Sequence, residues 1–328
     1  MAPLPDFLQG ALQQALSLGK THAVLITGQA GLGQFELARA LSQAWLCEDH
    51  APGTPACGHC ASCHLVAQRS HPDERWLLPA ALRVQLGFEE APAEGKAKPS
   101  KEIRIDEVRA MLDFSISTSG RGQGKVVGIH PAEALNTVAA NALLKTLEEP
   151  GGALRFVLSC AAPDELLPTI RSRCQVLQLE APSAAQATQW LAHQGLPAAD
   201  AQTLLSLSAG RPGQALSWHS AGLNTQRLAA LVTDAQQGDL SAHEALGLPT
   251  LIDLLARLAH DQLRRAHGQA ALYFDGASLP PPAKAEALQR WAQELRQARA
   301  KGEHPLTPGL WLDTLAAQAQ AGLRPAKG

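Results

Sequence analysis

Four cysteines lie close together near the start of the chain, at a spacing that metal-binding proteins use. Cys47, Cys57, Cys60 and Cys63 follow the pattern C-x9-C-x2-C-x2-C. Two cysteines separated by two residues can present both sulfurs to one ion, and four thiolates with no open position make a closed tetrahedral zinc site. We therefore predict a structural Zn²⁺ ion that braces the loop-like segment 47–63 and has no catalytic task.

Other ligand arrangements stay open for this segment. An iron–sulfur cluster also uses C-x2-C-x2-C runs, although Ala67 replaces the cysteine that usually follows three residues later. His59 or His64 could take the place of one sulfur on zinc. Four unliganded thiols have less support, because a polar loop gives them no packing reason to cluster.

A glycine-rich loop lies between a short apolar run and an amphipathic stretch, which is the order of a P-loop. Its glycines Gly28, Gly31 and Gly33 are followed by Gln34 and Phe35. In the working motif, G-x-x-x-x-G-K-[ST], the Lys reaches the outer phosphates and the hydroxyl holds Mg²⁺. We expect the backbone path of the loop to be kept and its cation and metal ligand to be lost. Taken alone, such a glycine run could also be an ordinary turn.

The carboxylates that would hold Mg²⁺ at the end of a second strand are missing as well. The predicted strand 125–129 continues into His130, Pro131 and Ala132, and the first acidic residue is Glu133, too far along to be a safe replacement. Together these losses remove the groups that neutralise developing charge in phosphoryl transfer. We predict that this chain by itself neither binds ATP productively nor hydrolyses it.

Two longer runs further along carry a resemblance to a known family. Residues 139–150 read AANALLKTLEEP, and residues 172–174 read Ser-Arg-Cys. Both are similar to runs shared by the bacterial clamp-loader subunits, which are AAA+ proteins of the DNA polymerase III holoenzyme. The likeness covers most of the first 220 residues, and it does not explain the segment 79–101.

The resemblance implies a five-subunit spiral in which each ATP site lies between neighbours. It assigns Arg173 to the nucleotide of the adjoining subunit, with Ser172 and Cys174 positioning its loop. A guanidinium suits this task because it stays charged and presents two parallel donors to phosphate oxygens. Without the family, Arg171 and Arg173 are better explained by surface ion pairs with a nearby glutamate: Glu148, Glu149 or Glu165.

The partners implied by the resemblance are the ATP-hydrolysing gamma/tau subunits and the delta subunit in a heteropentamer, the sliding clamp, and primer-template DNA. The expected role is a non-hydrolysing subunit that helps load the clamp during DNA replication, with neither ATPase nor polymerase chemistry of its own. The alternative is an autonomous AAA+ ATPase with an altered P-loop. A zinc-ribbon adaptor that reads nucleic acid has less support, because residues 47–63 contain no Lys or Arg.

The elements that must position these residues follow an α/β order. Short β-rich runs alternate with helical patterns up to about residue 180, which is typical of a parallel sheet covered by helices. After Pro182 the strands stop and helical spacing continues. With the resemblance, this predicts an AAA+ P-loop-like domain over 1–180 with the zinc module 47–63 inserted, a small helical lid over 181–222, and a helical collar or oligomerisation domain over 223–328.

Three smaller features complete the expectations. Residues 79–101 are predicted to be a flexible surface insertion. Residues 121–125 form a basic turn that either contacts DNA phosphates or is simply solvated, and Arg211 is expected to be structural. Apolar stripes at Leu248 to Leu263 and at Leu288 to Leu295 either close a helical bundle within the chain or face another subunit.

Composition excludes several classes of protein. The 28 Lys and Arg balance the 30 Asp and Glu, so the chain is neither a polycation nor an acidic tail protein. Six cysteines in 328 residues do not make a disulfide scaffold. No apolar run approaches the length of a membrane span, and the start does not resemble a signal peptide, so we expect a cytoplasmic protein.

Overall fold

The computed structural model describes residues 3–19, 21–49, 51, 53–89, 99–301 and 308–324. The chain divides into two compact units, Met1–Ala181 and Pro182–Gly328. The first unit contains every described strand. The strands are β1 Ala23–Thr27, β2 Glu74–Leu77, β3 Lys125–Ile129, β4 Leu154–Cys160 and β5 Gln175–Gln178.

These strands form one parallel sheet in the order β2-β3-β4-β1-β5. All five residues of β1 and all five of β3 are buried, as expected for a parallel sheet that is covered on both faces. The carboxyl ends of parallel strands meet at one edge of the sheet, which is where ligands bind in open α/β folds. The glycine loop that follows β1 lies at that edge.

Helices cover both faces of the sheet. They are α1 Asp6–Ser17, α2 Gln34–Leu46, α3 Ala61–Ala67, α4 Ala80–Gln85, α5 Ile105–Ile116, α6 Thr137–Glu148 and α7 Pro168–Arg171. Alternate residues of β1 face opposite cores: Ile26 packs in one with α1 and α2, whereas Leu25 packs in the other with α5 and α6. This three-layer arrangement confirms the α/β fold class.

Among its described residues, the second unit contains helices and connecting loops but no strand. Its helices are α8 Ala184–His193, α9 Ala198–Leu207, α10 Pro212–Ser220, α11 Thr225–Gln237, α12 Leu248–Ala266, α13 Ala285–Lys301 and α14 Pro308–Leu323. Leu255 of α12 and Leu288, Trp291 and Leu295 of α13 are buried in a single hydrophobic core. These stripe residues therefore pack within the chain. A domain boundary at residue 222 stays a prediction.

The predicted insertion 79–101 is in part ordered. Ala80–Gln85 forms helix α4, and Arg69 donates a hydrogen bond of 2.6 Å to the carbonyl of Gly87. Residues 90–98 of that segment lie outside the described residues. Within the described part of the chain, none of the helices is both long enough and apolar enough to span a membrane.

Candidate functional site

The glycine loop keeps the backbone path of a P-loop. It joins β1 to α2, and Gly31 and Gly33 adopt φ angles of +89° and +95°, which glycine reaches without strain. Gly33 is also the residue before the first turn of α2. The positive φ angle favours glycine at this position, and a Cβ there would also lie 2.6 Å from the Leu8 side chain of α1, which would have to move.

The side chain of Gln34 is bonded to its own loop. Its Nε2 donates to the carbonyl oxygen of Gly28 at 2.6 Å and to that of Gln29 at 2.8 Å, and the residue is 6% exposed. A lysine at this position in a working P-loop extends to the outer phosphates. In this chain the corresponding side chain is neutral and turned back onto the loop.

The side chain of Phe35 fills the position of the Mg²⁺-binding hydroxyl with an aromatic ring. Its ring centroid lies 4.7 Å from that of His130 and 5.1 Å from that of Trp76. The ring centroid of Phe88 lies 6.4 Å from that of Phe35. Gly128 makes room for the group, because a Cβ there would lie 2.4 Å from the Trp76 indole. We call Phe35, Trp76, Phe88 and His130 the aromatic cluster.

The polar residues after β3 make hydrogen bonds within the protein. His130 Nδ1 lies 2.7 Å from the Ser159 hydroxyl, and burial lowers the pKa of His130 to about 4. Glu133 Oε1 accepts hydrogen bonds from the backbone N–H groups of Ala161 and Ala162, at 2.8 and 3.2 Å. One carboxylate oxygen of Glu133 thus holds the chain that follows β4, while Oε2 is buried without a hydrogen-bond partner.

The buried His130 makes stability depend on pH. Its folded pKa of about 4 lies below the ordinary 6.5, so between these values the unfolded chain binds more protons than the folded one. The free energy of unfolding should therefore fall as the pH falls through this interval, by roughly 2 kcal/mol between pH 7 and pH 5. Urea unfolding at the two pH values, compared between the wild type and His130→Phe, measures this contribution. The exposed His193→Phe should retain the full wild-type dependence, and an unchanged dependence in His130→Phe would refute the assignment.

Arg173 lies two residues after the end of α7 and is paired within the chain. One terminal nitrogen, Nη1, donates to the carbonyl of Thr169 at 2.7 Å, and the other, Nη2, forms an ion pair with Glu148. The side chain is 27% exposed. Arg171 instead pairs with Asp164, at 3.6 Å. The ion pair expected from the residues alone is therefore present for Arg173.

The neighbours of Arg173 hold its loop. The Ser172 hydroxyl donates to the carbonyl of Thr169 at 3.1 Å. Cys174 packs against the core of the first unit, and burial raises the pKa of its thiol to about 12. A neutral, packed thiol and a hydroxyl bonded to the preceding turn both suit positioning residues.

The four cysteines predicted from their spacing come together in space. Their sulfur atoms all lie within 4.8 Å of one another, with Cys47 Sγ 3.9 Å from Cys60 Sγ and Cys57 Sγ 3.9 Å from Cys63 Sγ. Four sulfurs at the usual zinc–sulfur distance of about 2.3 Å form a tetrahedron with edges of about 3.8 Å. The donor set therefore fits a zinc ion.

Backbone N–H groups point at three of these sulfurs. The N–H groups of Cys57, Cys60 and Cys63 donate to the sulfurs of Cys47, Cys57 and Cys60, at 3.4, 3.3 and 3.4 Å. Such donors favour the thiolate form, which is the form that binds metal. Cys47 lies at the end of α2 and Cys63 within α3, so the sheet domain supplies a fixed frame for the cluster.

The predicted basic turn 121–125 is bonded into the protein. Arg121 Nε donates to Glu48 at 2.6 Å and to the Ser62 hydroxyl at 3.0 Å, and Asp73 accepts the backbone N–H of Arg121 at 2.8 Å. Lys125 is 5% exposed and donates to the carbonyl of Phe114 at 2.6 Å. Arg121 therefore connects the turn to the cysteine segment, and Lys125 connects it to the end of α5, so these two cations are not simply solvated.

Arg211 also has a partner within its own unit. Its Nε donates to the carbonyl of Ser208 at 2.7 Å, and burial lowers the pKa of its guanidinium. This contact supports the structural role expected for it.

Comparison with known proteins adds to this geometry. A family model described as DNA polymerase III, delta subunit, matches residues 6–183. The chain is 35% identical over 297 residues to the DNA polymerase III subunit delta' of Pseudomonas aeruginosa, covering 84% of this chain and 85% of the relative. It is 33% identical over 184 residues to the DNA polymerase III subunit tau of Escherichia coli K12, covering 56% of this chain and 25% of the relative.

One solved structure aligns with nearly the whole chain. A DNA polymerase III gamma subunit-related protein from Thermotoga maritima aligns over 96% of this chain and 99% of its own, with a TM-score of 0.49 and 18% sequence identity.

Proposed function

The chain belongs to the family of DNA polymerase III delta' subunits, and on that basis we propose that it is the non-hydrolysing subunit of a clamp loader. In this role it supplies Arg173 to an ATP site on a neighbouring subunit and helps load the sliding clamp onto primed DNA. The observation that carries the proposal is that its own P-loop is occupied by protein side chains. Gln34 hydrogen-bonds to the carbonyls of the loop, and the ring of Phe35 packs against His130.

The closed P-loop removes the charges that nucleotide chemistry needs. Phosphoryl transfer depends on cations and Mg²⁺ that neutralise developing negative charge. At the carboxyl edge of the sheet, the Gln34 amide replaces a cation and the Phe35 ring replaces a metal ligand. Glu133, the nearest acidic residue after β3, is bonded to backbone N–H groups. A subunit built this way contributes to catalysis through a neighbour's site.

The contacts of Arg173 support a role in trans. A guanidinium has five N–H donors, of which each terminal nitrogen carries two. Thr169 binds one terminal nitrogen and Glu148 the other, so each terminal nitrogen keeps a second N–H for a further acceptor. Because the side chain is already oriented, less conformational freedom is lost when it meets phosphate oxygens.

The partners proposed for this chain follow from its relatives. Subunit tau and a gamma subunit are among the proteins similar to it, and we propose gamma/tau as the neighbours whose ATP site receives Arg173. The delta subunit, the sliding clamp and primer-template DNA complete the proposed assembly, which operates in the cytoplasm.

We also propose that Cys47, Cys57, Cys60 and Cys63 hold one structural zinc ion. The spacing of their sulfurs and the N–H donors directed at them support this assignment. When bound, zinc cross-links the end of α2 to α3. Through Ser62 and Glu48 the same cross-link steadies Arg121 and the turn that precedes β3.

Restoring the P-loop lysine alone should not create an ATPase. In Gln34→Lys the cation returns, but Phe35 still occupies the metal-ligand position and no carboxylate directly follows β3. We expect ATP hydrolysis by the purified variant to stay at the level of the wild type and of the control Gln34→Ala. Steady-state phosphate release with Mg²⁺ and ATP measures this. Robust turnover by Gln34→Lys would show that a second catalytic motif is present after all.

A further inference from the structure

A second set of metal ligands lies on the exposed side of the cysteine cluster. Donor atoms of Asp49, Cys57 and His59 all lie within 4.8 Å of one another. The side chains of Asp49 and His59 are each 72% exposed, and His59 Nδ1 lies 4.0 Å from Asp49 Oδ2. A carboxylate, an imidazole and a thiolate are all zinc ligands. The role proposed above for the four cysteines uses neither Asp49 nor His59.

Burial separates this outer set from the inner cluster. Cys47 and Cys63 are each 1% exposed, whereas Cys57 and Cys60 are partly buried, so an incoming ion meets Cys57 or Cys60 before the two inner sulfurs. Cys57 is only partly buried and belongs to both sets, with its sulfur 3.9 Å from that of Cys63. One ligand therefore joins the solvent-facing set to the enclosed one.

We propose that Asp49, Cys57 and His59 form an entry site through which zinc reaches the four-cysteine cluster. The proposal rests on the proposed zinc at that cluster. His59 and Asp49 would replace water molecules on an incoming ion, with Cys57 as the third ligand. Bonds to the other three sulfurs then replace those to His59 and Asp49, while the bond to Cys57 is kept, and the thiol protons pass to solvent.

The charge of the segment favours capture of a cation. Residues 47–63 contain Glu48 and Asp49 but no Lys or Arg. Arg121, which approaches from another segment, pairs with Glu48. The negative charge of Asp49 therefore lies at the exposed face, where it attracts a divalent ion before any inner sulfur is reached.

An entry site changes rates without changing the final complex. Its ligands are released once zinc is held by four sulfurs, so removing them should slow loading and release equally. The equilibrium affinity should stay the same. A residue that merely supports the cluster would behave differently, because its loss weakens the bound state and speeds release.

Metal exchange in the zinc-loaded full chain tests the proposal. Cd²⁺ is added at increasing concentration, and its arrival at the cysteines is followed by the thiolate-to-cadmium absorption band. Wild type is compared with Asp49→Ala/His59→Ala and with the control His64→Ala, which removes an exposed histidine next to Cys63. Zinc affinity of each variant is measured separately by competition with a chelating dye.

We expect an exchange rate that rises with Cd²⁺ concentration in wild type and in His64→Ala. In the double variant it should fall roughly tenfold, the scale on which accessory residues of metal sites act, with unchanged zinc affinity. Unchanged exchange in the double variant, exchange independent of Cd²⁺ concentration, or faster release with weaker affinity would each overturn the entry site while leaving the four-cysteine site intact. A wild-type chain that binds no zinc would instead refute the zinc site itself.

Discussion

Replacing Arg173 with alanine should reduce ATP turnover at the neighbouring subunit's site by about 10³–10⁵-fold, the range measured for arginines supplied in trans. Assembly of the complex should be unaffected, because the ion pair of the partly exposed Arg173 with Glu148 lies within the chain and ion pairs near the surface are worth about 0–1 kcal/mol. Single-turnover ATP hydrolysis by the assembled complex measures the first effect. Size-exclusion chromatography of the same sample measures the second.

The matched control is Arg171→Ala. Arg171 lies two residues away, at the end of α7, and pairs with the exposed Asp164 at 3.6 Å. Its removal should leave turnover near the wild-type value. Arg173→Lys should recover little activity, because an ammonium lacks the planar fork that binds two phosphate oxygens. Normal turnover by Arg173→Ala in an intact complex would exclude the trans mechanism.

Glu148→Gln distinguishes a structural role of Arg173, through its ion pair with Glu148, from a direct role at the neighbour's nucleotide. If Arg173 acts only through the ion pair, Glu148→Gln and Arg173→Ala should reduce ATP turnover equally. We expect a much smaller loss for Glu148→Gln, because the amide keeps an acceptor oxygen for Nη2 and the phosphates of the partner's nucleotide remain available to the guanidinium.

The second large effect concerns the cysteine cluster. Cys60→Ser should abolish zinc binding and remove a contribution on the order of 10 kcal/mol to the ordering of residues 47–63. Because Arg121 is anchored to Glu48 and Ser62, backbone amides of the turn before β3 should also lose protection from hydrogen exchange. Metal analysis and hydrogen-exchange mass spectrometry of the purified chain measure both effects.

Cys174→Ala provides the control for this experiment. It also removes one thiol from the first unit, but Cys174 lies outside the cluster and packs against the core. Its zinc content should match that of the wild type. A Cys60→Ser chain with full zinc content and unchanged exchange would contradict the four-thiolate assignment.

The elements that position the site were largely predictable because they follow simple periodicities. The apolar runs of β1 and β3 are too short for helices and are buried on both faces, as a central parallel strand requires. The stripe of α12 repeats at helical spacing; it is buried from Leu251 to Ala259 and partly buried at Leu248 and Leu263. In the same way, cysteine spacing predicted a cluster whose sulfurs do converge.

Helix α1 was missed, although its signal is present. Leu8, Leu12 and Leu16 recur every four residues and pack against α2. Pro3 and Pro5 precede this repeat, and proline is well tolerated just ahead of a helix. The structured start of the segment 79–101 was missed because its composition resembles that of a loop.

Contacts between distant segments could not be predicted. The sequence indicates that Gln34 and Phe35 lack the chemistry of a P-loop, but not that the amide bonds the loop carbonyls or that the ring meets Trp76 and His130. The anchoring of Arg121 to Glu48 depends on residues 73 positions apart. Such pairs depend on how the segments pack, which no local pattern in a single sequence specifies.

Equilibrium binding of ATP to the isolated chain, measured by titration calorimetry with and without Mg²⁺, tests the central claim most directly. A P-loop closed by Gln34 and the aromatic cluster should show no Mg²⁺-dependent binding in the micromolar range. Micromolar binding that requires Mg²⁺ would contradict the claim, and it would favour an autonomous ATPase with an altered P-loop over a subunit that acts through Arg173 on a neighbour's nucleotide.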